Sequence, residues 1–235
     1  VEKLKGSIAA NNLEAMKAHE TRAFAPLMVS DTSRNLRRVF RLSEALKAQA
    51  PKGLEWTPRR VHVIGAGTMG ADIAGFCVAA GMEVTLQDLS PAVIEKGTKA
   101  QSRLFAKRFK TKATRDAAKA RLIADPEGAG LARADLVIEA IVERLDVKQK
   151  LFADIEAKVK PDCVLATNTS SLQIEDIASA MRDPSRLVGI HFFNPVAKMP
   201  LVEVVRGAGS DQGMIDKAST RSEERRVGKE CRSRW

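Results

Sequence analysis

The chain has 235 residues, is 44% hydrophobic and 29% charged, and carries a formal net charge of +10. This balance predicts a soluble globular protein of one or two domains, and no apolar run approaches the roughly 20 residues that a membrane helix needs. The basic residues are scattered apart from one helix-like run, RLFAKRFKTK at 103–112, and no nucleic-acid-binding module surrounds it. We therefore interpret that run as a solvated helix face and expect no nucleic-acid partner.

The first 57 residues are predicted to be helical and to end in a linker. Apolar residues recur at roughly helical spacing in two segments, NNLEAMKAHETRAFAPLM and SDTSRNLRRVFRLSEALKAQ. Pro26 is expected to end or kink the first helix, and Ser30, Asp31 or Ser33 is expected to cap the second. The segment APKGLEWTP, at 50–58, contains two prolines and a glycine and is typical of a linker.

From residue 58 to residue 220, short apolar segments alternate with helical patterns. The predicted strands are RVHVI, MEVTLQD, ADLVIEAIVE, CVLATNTSS, RLVGIHFFNP and LVEVVRG. The predicted helices are ADIAGFCVAAG, one long basic helix after the second strand, DVKQKLFADIEAKV and QIEDIASAM. This alternation predicts an α/β domain built from βαβ units around a mostly parallel sheet.

The glycines of GAGTMG lie between a predicted strand and a helix that starts near Met69. In the G-x-G-x-x-G pattern, Gly65 permits a tight turn, Gly67 lets the backbone approach a pyrophosphate, and Gly70 allows close helix–strand packing. Asp88 ends the second predicted strand, where a carboxylate binds ribose hydroxyls and repels a 2′-phosphate. The pattern predicts a Rossmann-like, doubly wound fold that binds NAD rather than NADP. The alternative is a glycine-rich turn in which Asp88 caps the following helix.

Polar residues also follow three later strands. Glu143 closes one predicted strand, Asn168 to Ser171 close the next, and His191 and Asn194 close a third. Because ligands of open α/β sheets bind beyond the carboxyl ends of the strands, these residues form a candidate site. The alternative is that they are ordinary polar strand exits.

His191 is the candidate general base. Its imidazole could take a proton from a substrate hydroxyl, and a carboxylate on its other nitrogen would fix the tautomer and stabilise the charged form. Glu203 would be that carboxylate if the LVEVV strand lies beside the strand of His191. The alternative is a buried core histidine next to an unrelated surface carboxylate.

The segments VIGAGTMGADIA, DLVIEAIVE, TNTSSLQI and HFFNPVAKMPLVEVV, with their spacing, resemble the NAD-binding domain of the L-3-hydroxyacyl-CoA dehydrogenases. This resemblance runs from about Arg60 to about Thr220. The preceding helices, with SRNLRRVF and the linker, resemble the join between an enoyl-CoA hydratase domain and the dehydrogenase in multifunctional fatty acid β-oxidation proteins of the α-subunit type. The resemblance therefore divides the chain into a hydratase-like end plus linker at 1–57 and a dehydrogenase domain at 58–220.

The resemblance implies oxidation of a (3S)-3-hydroxyacyl-CoA to the 3-oxoacyl-CoA with NAD. It assigns His191 as general base, Glu203 as its orienting carboxylate, Ser170 as the group that binds the substrate oxygen, and Asn194 as a further substrate residue. It places Glu143, Lys148 and Asn168 along the nicotinamide half of the cofactor and the substrate mouth. The candidate cofactor-binding residues are Gly65, Gly67, Thr68, Met69, Gly70, Asp88, Glu143, Lys148 and Asn168.

The last segment, 221–235, lacks apolar periodicity, and its residues RSEERRVGKEC match one translated frame of a widely used sequencing adapter. We interpret it as an adapter artefact without structure, with a basic interaction tail as the alternative. It holds six Lys/Arg and three Asp/Glu, so the charge without it falls from +10 to +7. The chain is then expected to be a central fragment that lacks the family's helical second domain, and that binds NAD with little or no turnover.

Two other functions stay open: a β-hydroxyacid dehydrogenase, whose fingerprint also reads G-x-G-x-M-G, and a non-catalytic NAD-binding protein. Cys77, Cys163 and Cys231 show neither metal-ligand spacing nor a disulfide pattern, which indicates a reducing compartment and no metal site. Composition favours a bacterial cytoplasm over a mitochondrion. The resemblance also leads us to expect an oligomeric full-length protein that can associate with a thiolase subunit.

Overall fold

The computed structural model of the chain describes residues 13–47, 53–54, 56–199, 201–220 and 226–229. The chain divides into two compact units, 1–48 and 49–235. The division lies upstream of the predicted boundary at 57/58 because Trp56, from the predicted linker, packs against the core of the second unit.

Within residues 13–47, the described part of the first unit, the chain forms two helices, α1 (Leu13–Val29) and α2 (Asp31–Lys47), as the apolar spacing predicted. Ser30 caps α2, since its hydroxyl accepts a hydrogen bond of 3.1 Å from the backbone N–H of Ser33. Pro26 lies inside α1, which continues for three residues beyond it to Val29, so the proline does not end the helix at its own position. The apolar side chains that remain more than half exposed in this unit are Phe24, Leu27, Val29, Leu36, Val39, Phe40 and Leu42.

The second unit is built on one eight-stranded sheet. Its strands are β1 (Arg60–Ile64), β2 (Glu83–Gln87), β3 (Leu122–Ala124), β4 (Leu136–Glu139), β5 (Val164–Thr167), β6 (Leu187–Phe192), β7 (Leu201–Val205) and β8 (Arg226–Lys229). They lie in the order β3-β2-β1-β4-β5-β6-β7-β8, and every neighbouring pair is parallel except β6 and β7. This confirms the predicted Rossmann-like, mostly parallel sheet, whose strand order reverses between β1 and β4.

Six helices accompany this sheet: α3 (Thr68–Ala79), α4 (Pro91–Arg108), α5 (Lys112–Ala120), α6 (Leu145–Glu156), α7 (Ile174–Ala178) and α8 (Gln212–Thr220). The predicted single basic helix is in fact two, because Thr111 is extended and caps α5 by accepting a hydrogen bond from the N–H of Thr114. The three-residue strand β3, which follows α5, is a further difference from the prediction. None of the described helices is long and apolar enough to cross a membrane.

Both faces of the central strands β4, β5 and β6 are buried, which is why these segments are almost continuously apolar in the sequence. Alternate residues of β4 belong to different apolar clusters: Leu136 and Ile138 to one, Val137 to the other. Helices α3, α4 and α8 contribute to the first cluster and α6 and α7 to the second. The sheet is therefore covered by helices on both sides, the doubly wound arrangement that the sequence predicted.

The strand β4 is shorter than predicted, and this corrects the position of Glu143. β4 ends at Glu139, whose side chain accepts a hydrogen bond of 2.7 Å from the N–H of Ile141. That bond turns the chain away from the sheet, so Glu143 lies in the turn before α6 rather than at the end of a strand.

The tail also differs from its prediction, because Arg226–Lys229 forms strand β8 parallel to β7. Without a neighbour on that side, β7 would present a row of unpaired backbone groups. Such an edge can pair with an extended segment through backbone groups alone, whatever its side chains. The interpretation of 221–235 as a translated adapter stays a prediction.

Candidate active site

The candidate residues meet at one edge of the sheet, where the parallel strands β1, β2, β4, β5 and β6 have their carboxyl ends. Backbone bonds continue just beyond these ends: the N–H of Ala140 donates to the carbonyl of Ile64, and that of Asn168 donates to the carbonyl of Glu139, both at 2.8 Å. The strand exits are thus held side by side, as expected for a ligand site of an open α/β sheet.

The glycine loop is tight in a way that other residues could not reproduce. Gly65 has a positive φ of 100°, and a Cβ atom there would lie 2.5 Å from the carbonyl oxygen of Ala140. A Cβ on Gly70 would lie 1.7 Å from the carbonyl oxygen of Gly65. A Cβ on Gly67 would meet no atom within 4 Å, so the loop is open to its surroundings at this position.

Helix α3 begins directly after Gly67, which has no side chain to cap it. The first N–H groups of the helix, near the exposed Thr68 and the half-buried Met69, are therefore available to an anion. Asp88 follows β2 and its carboxylate accepts hydrogen bonds from the backbone N–H of Ala66 at 2.8 Å and of Ser90 at 3.1 Å. The bond from Ala66 ties Asp88 to the glycine loop, and its role as a ribose-binding carboxylate stays a prediction.

His191 and Glu203 form a pair. They lie directly opposite each other in the antiparallel β6–β7 ladder, and Nδ1 of His191 is 2.9 Å from Oε2 of Glu203. The two side chains are 20% and 33% exposed, so the pair is accessible without being fully solvated. The ring of Phe193 packs 4.6 Å from the imidazole, centroid to centroid. Among the described residues, Nε2 of His191 makes no hydrogen bond, so this nitrogen is the one available to a ligand.

Glu143 binds the segment that follows β5. Its carboxylate accepts hydrogen bonds from the hydroxyl of Thr169, from the N–H of Ser170 at 3.0 Å and from the N–H of Ser171 at 3.3 Å. Lys148 lies 3.2 Å away as its cationic partner. Partial burial acts to raise the pKa of Glu143, but the Thr169 hydroxyl and the Lys148 charge outweigh it and lower the pKa to about 2. Glu143 is therefore a carboxylate throughout the physiological range.

Lys148 lies underneath this loop, and only 1% of its side chain is exposed. Its Nζ donates to both carboxylate oxygens of Glu139, at 2.7 and 2.8 Å. Glu139 is fully buried and also accepts a hydrogen bond of 2.6 Å from the hydroxyl of Thr167. Lys148 therefore joins Glu139 to Glu143, and its predicted place along the nicotinamide half of the cofactor stays a prediction.

Glu139 is a site residue that the sequence reasoning missed, whereas Thr169 belongs to the predicted polar cluster after β5. A signal for Glu139 was present, because it is the one charged residue within the apolar run LVIEAIV. A carboxylate in a buried strand requires a charged or hydrogen-bonding partner, and that requirement pointed to a nearby cation.

The remaining candidates lie at the same edge but are less tightly joined. Asn168 accepts a hydrogen bond of 2.8 Å through Oδ1 from the N–H of Phe192 and thereby fastens β5 to the residue next to His191. Ser170 and Asn194 are exposed. No hydrogen bond between described residues joins either of them to His191.

Comparisons with known proteins identify this arrangement. The family model described as "3-hydroxyacyl-CoA dehydrogenase, NAD binding domain" matches residues 60–231, which is more than half of the chain. The chain belongs to this family. It is similar to 3-hydroxybutyryl-CoA dehydrogenase from Escherichia coli K12, with 37% identity and a TM-score of 0.70 over 74% of this chain and 38% of that one.

Two other solved members of the family are similar to this chain. The (S)-3-hydroxybutyryl-CoA dehydrogenase from Ralstonia eutropha has 34% identity and a TM-score of 0.68 over 74% of this chain and 63% of that one. The dehydrogenase part of a multifunctional enzyme from C. elegans has 27% identity and a TM-score of 0.67 over 80% of this chain and 48% of that one. The chain thus spans less than two thirds of each of these three relatives.

The residues of this family member fit NAD. The tight turn at Gly65, the open position of Gly67 and the uncapped start of α3 form a cradle for a pyrophosphate, and the carboxylate of Asp88 lies beside it for a ribose. The described residues contain no group of His, Cys, Asp and Glu side chains that could hold a metal ion.

Proposed function

We propose that this chain supplies the dehydrogenase site that oxidises (3S)-3-hydroxyacyl-CoA to 3-oxoacyl-CoA in fatty acid β-oxidation. The observation that carries the proposal is the His191–Glu203 pair, with 2.9 Å between Nδ1 and Oε2, at the same sheet edge as the glycine loop. A base held by a carboxylate next to a dinucleotide cradle is the combination that alcohol oxidation requires.

In this proposal, His191 donates its Nδ1 proton to a hydrogen bond with Glu203 and keeps Nε2 unprotonated. Nε2 takes the proton of the substrate's 3-hydroxyl, and the Glu203 carboxylate stabilises the imidazolium that forms. NAD, when bound, supplies the acceptor for the hydride that leaves the same carbon. The hydroxyl of Ser170 binds the substrate oxygen, and Asn194 lies at the substrate mouth. Lys148 acts through Glu143 rather than by touching the ligand, because it is 1% exposed.

We expect the chain by itself to bind NAD and to show little or no steady-state turnover, while a single slow round of oxidation is detectable when the chain is in excess over substrate. Ser170 and Asn194 are exposed, so water competes with the substrate at both. The chain also spans only 38% of the E. coli relative and 63% of the R. eutropha relative. An oligomeric full-length protein, association with a thiolase and a bacterial cytoplasmic location are part of the same proposal.

The test measures binding and chemistry separately in the 235-residue chain. Titration calorimetry gives the Kd for NAD, and a single-turnover assay with the chain in excess over 3-hydroxybutyryl-CoA detects even slow NADH formation. A His191→Gln variant should keep the Kd for NAD within about twofold and lose about 10²- to 10⁴-fold in rate. His19→Gln, on the exposed face of α1 in the other unit, is the matched control and should change neither quantity.

The alternatives give different results. Absence of NAD binding by the unmodified chain would refute the cofactor assignment, and undiminished oxidation by His191→Gln would refute the base assignment. Oxidation of short hydroxy acids in preference to hydroxyacyl-CoA would indicate a β-hydroxyacid dehydrogenase. NAD binding without oxidation of either substrate would indicate a non-catalytic NAD-binding protein.

A further inference from the structure

Three ionisable side chains form one cluster at the exits of β4 and β5. The ammonium group of Lys148 lies 2.7 and 2.8 Å from the two carboxylate oxygens of Glu139 and 3.2 Å from Oε2 of Glu143. Two carboxylates thus share one cation, and the cluster carries one net negative charge. The neighbouring Arg144 does not cancel this charge, because it is paired with Asp146 at 2.6 Å and that pair is neutral.

The position of the cluster relative to a bound dinucleotide follows from the sheet. Asp88 lies on the β2 side of the glycine loop, whereas Glu143 and the exits of β4 and β5 lie on the other side. A dinucleotide that places one ribose at Asp88 and its pyrophosphate at Gly67 brings its second nucleoside to the β4–β5 side. In NAD that nucleoside carries the nicotinamide ring, which is cationic when oxidised and neutral when reduced. This step rests on the proposed function.

We infer that the Glu139–Lys148–Glu143 cluster favours the oxidised over the reduced cofactor through its net negative charge. A net negative charge on the side of the site that would hold the nicotinamide attracts the cationic form of the ring and not the neutral one. Glu139 and Lys148 are 0% and 1% exposed, so solvent screens their charges less than it would at the surface. Since the pKa of Glu143 is about 2, its charge is present at neutral pH.

The decisive variant is Glu139→Gln, because Glu139 is fully buried and cannot touch the cofactor. The substitution keeps the size of the side chain and brings the net charge of the cluster to zero. We expect the Kd for NAD⁺ to rise by roughly three- to tenfold and the Kd for NADH to change by less than about twofold. A residue with a purely structural role would weaken both forms equally. As a control, Asp154→Asn removes an exposed carboxylate from helix α6, the helix of Lys148, and should leave the ratio of the two constants unchanged.

Two further variants make the test independent of how well Glu139→Gln folds. The double variant Glu139→Gln with Lys148→Met restores one negative charge, on Glu143, and should return the ratio to that of the unmodified chain. Glu143→Gln also neutralises the cluster and should shift the ratio in the same direction as Glu139→Gln. Because exposed charges are screened by salt, the shift should be larger at low ionic strength for Glu143→Gln, which is partly exposed.

NAD⁺ is titrated calorimetrically and NADH by its fluorescence, each on the complete 235-residue chain, with circular dichroism to show that the variant is folded. A shifted ratio in Glu139→Gln and Glu143→Gln that the double variant reverses supports the inference. An unchanged ratio in folded Glu143→Gln, or a shift that persists in the double variant, overturns it while NAD binding and the proposed function stand. Failure of the unmodified chain to bind either form would instead overturn the proposed function itself.

Discussion

Replacing Lys148 by methionine should destabilise the second unit strongly. Methionine fills a similar volume but removes the cation that holds Glu139, which is fully buried. Glu139 would keep its hydrogen bonds from Thr167 at 2.6 Å and from Ile141 at 2.7 Å and lose the two from Nζ. Removal of one partner from a buried ion pair typically costs about 3–5 kcal/mol, because the other charge is left uncompensated. We expect a loss of that size in the free energy of unfolding.

The measurement is a urea titration followed by far-ultraviolet circular dichroism and by tryptophan fluorescence, to which Trp56 in the core of the second unit contributes. Lys150→Met, an exposed position on the same helix, is the control and should change the free energy of unfolding by less than about 0.5 kcal/mol. Combining Lys148→Met with Glu139→Gln should recover most of the loss, because the double variant leaves no unpaired buried charge. The reasoning would be refuted if Lys148→Met lowered the free energy of unfolding by less than about 1 kcal/mol. It would also be refuted if the double variant lowered it by the sum of the two single losses, because the Lys148–Glu139 pair would then contribute no coupling energy.

Three further predictions concern the loop, the ribose site and acid stability. Gly70→Ala should abolish NAD binding in calorimetry, because the new Cβ atom would lie 1.7 Å from the carbonyl oxygen of Gly65. The control is Gly209→Ala, whose Cβ atom would meet no atom within 4 Å and which should bind NAD normally. Normal NAD binding by Gly70→Ala would contradict the loop geometry. Asp88→Asn should weaken NAD binding by roughly 10- to 100-fold, the equivalent of one hydrogen bond to a charged group, and should reduce the preference for NAD over NADP. Unchanged affinities for both cofactors would remove Asp88 from the site. His62 is buried, and burial lowers its pKa despite the hydrogen bond that its Nε2–H donates to Oε1 of Gln87 and despite the charge of Asp125. Because the unfolded chain then binds the proton more readily, the free energy of unfolding should fall as the pH drops below about 6.5. In urea titrations between about pH 7 and pH 5.5, His62→Gln should make the free energy of unfolding depend less steeply on pH. An equally steep dependence in the variant would assign the acid sensitivity to other groups.

Local patterns account for the features of this chain that the sequence predicted well. The glycine loop is one continuous segment in which steric limits select glycine at positions 65 and 70, so its spacing and the flanking strand and helix located it. The pairing of His191 with Glu203 was stated with a condition, that two strands lie side by side, and the antiparallel β6–β7 ladder meets it. The two residues are only twelve positions apart, and a short connection favours neighbouring strands.

Tertiary structure decided the features that depend on contacts between distant segments. Thr167 reaches Glu139 from 28 positions away, and Thr169 reaches Glu143 from 26. No periodicity in either segment encodes these bonds. They arise because parallel strands bring their carboxyl ends together.

By itself, the sequence determined the class of fold, the dinucleotide loop and the identity of the candidate base, because each depends on residues close together in the chain. Only the tertiary structure decided that Lys148 is buried, that Glu139 is its partner, and that Glu143 stands beyond a strand rather than at its end. The physical reason is the same for all three. A charge enters the interior only where an opposite charge meets it, and the packing of α6 against the ends of β4 and β5 is what brings those charges together.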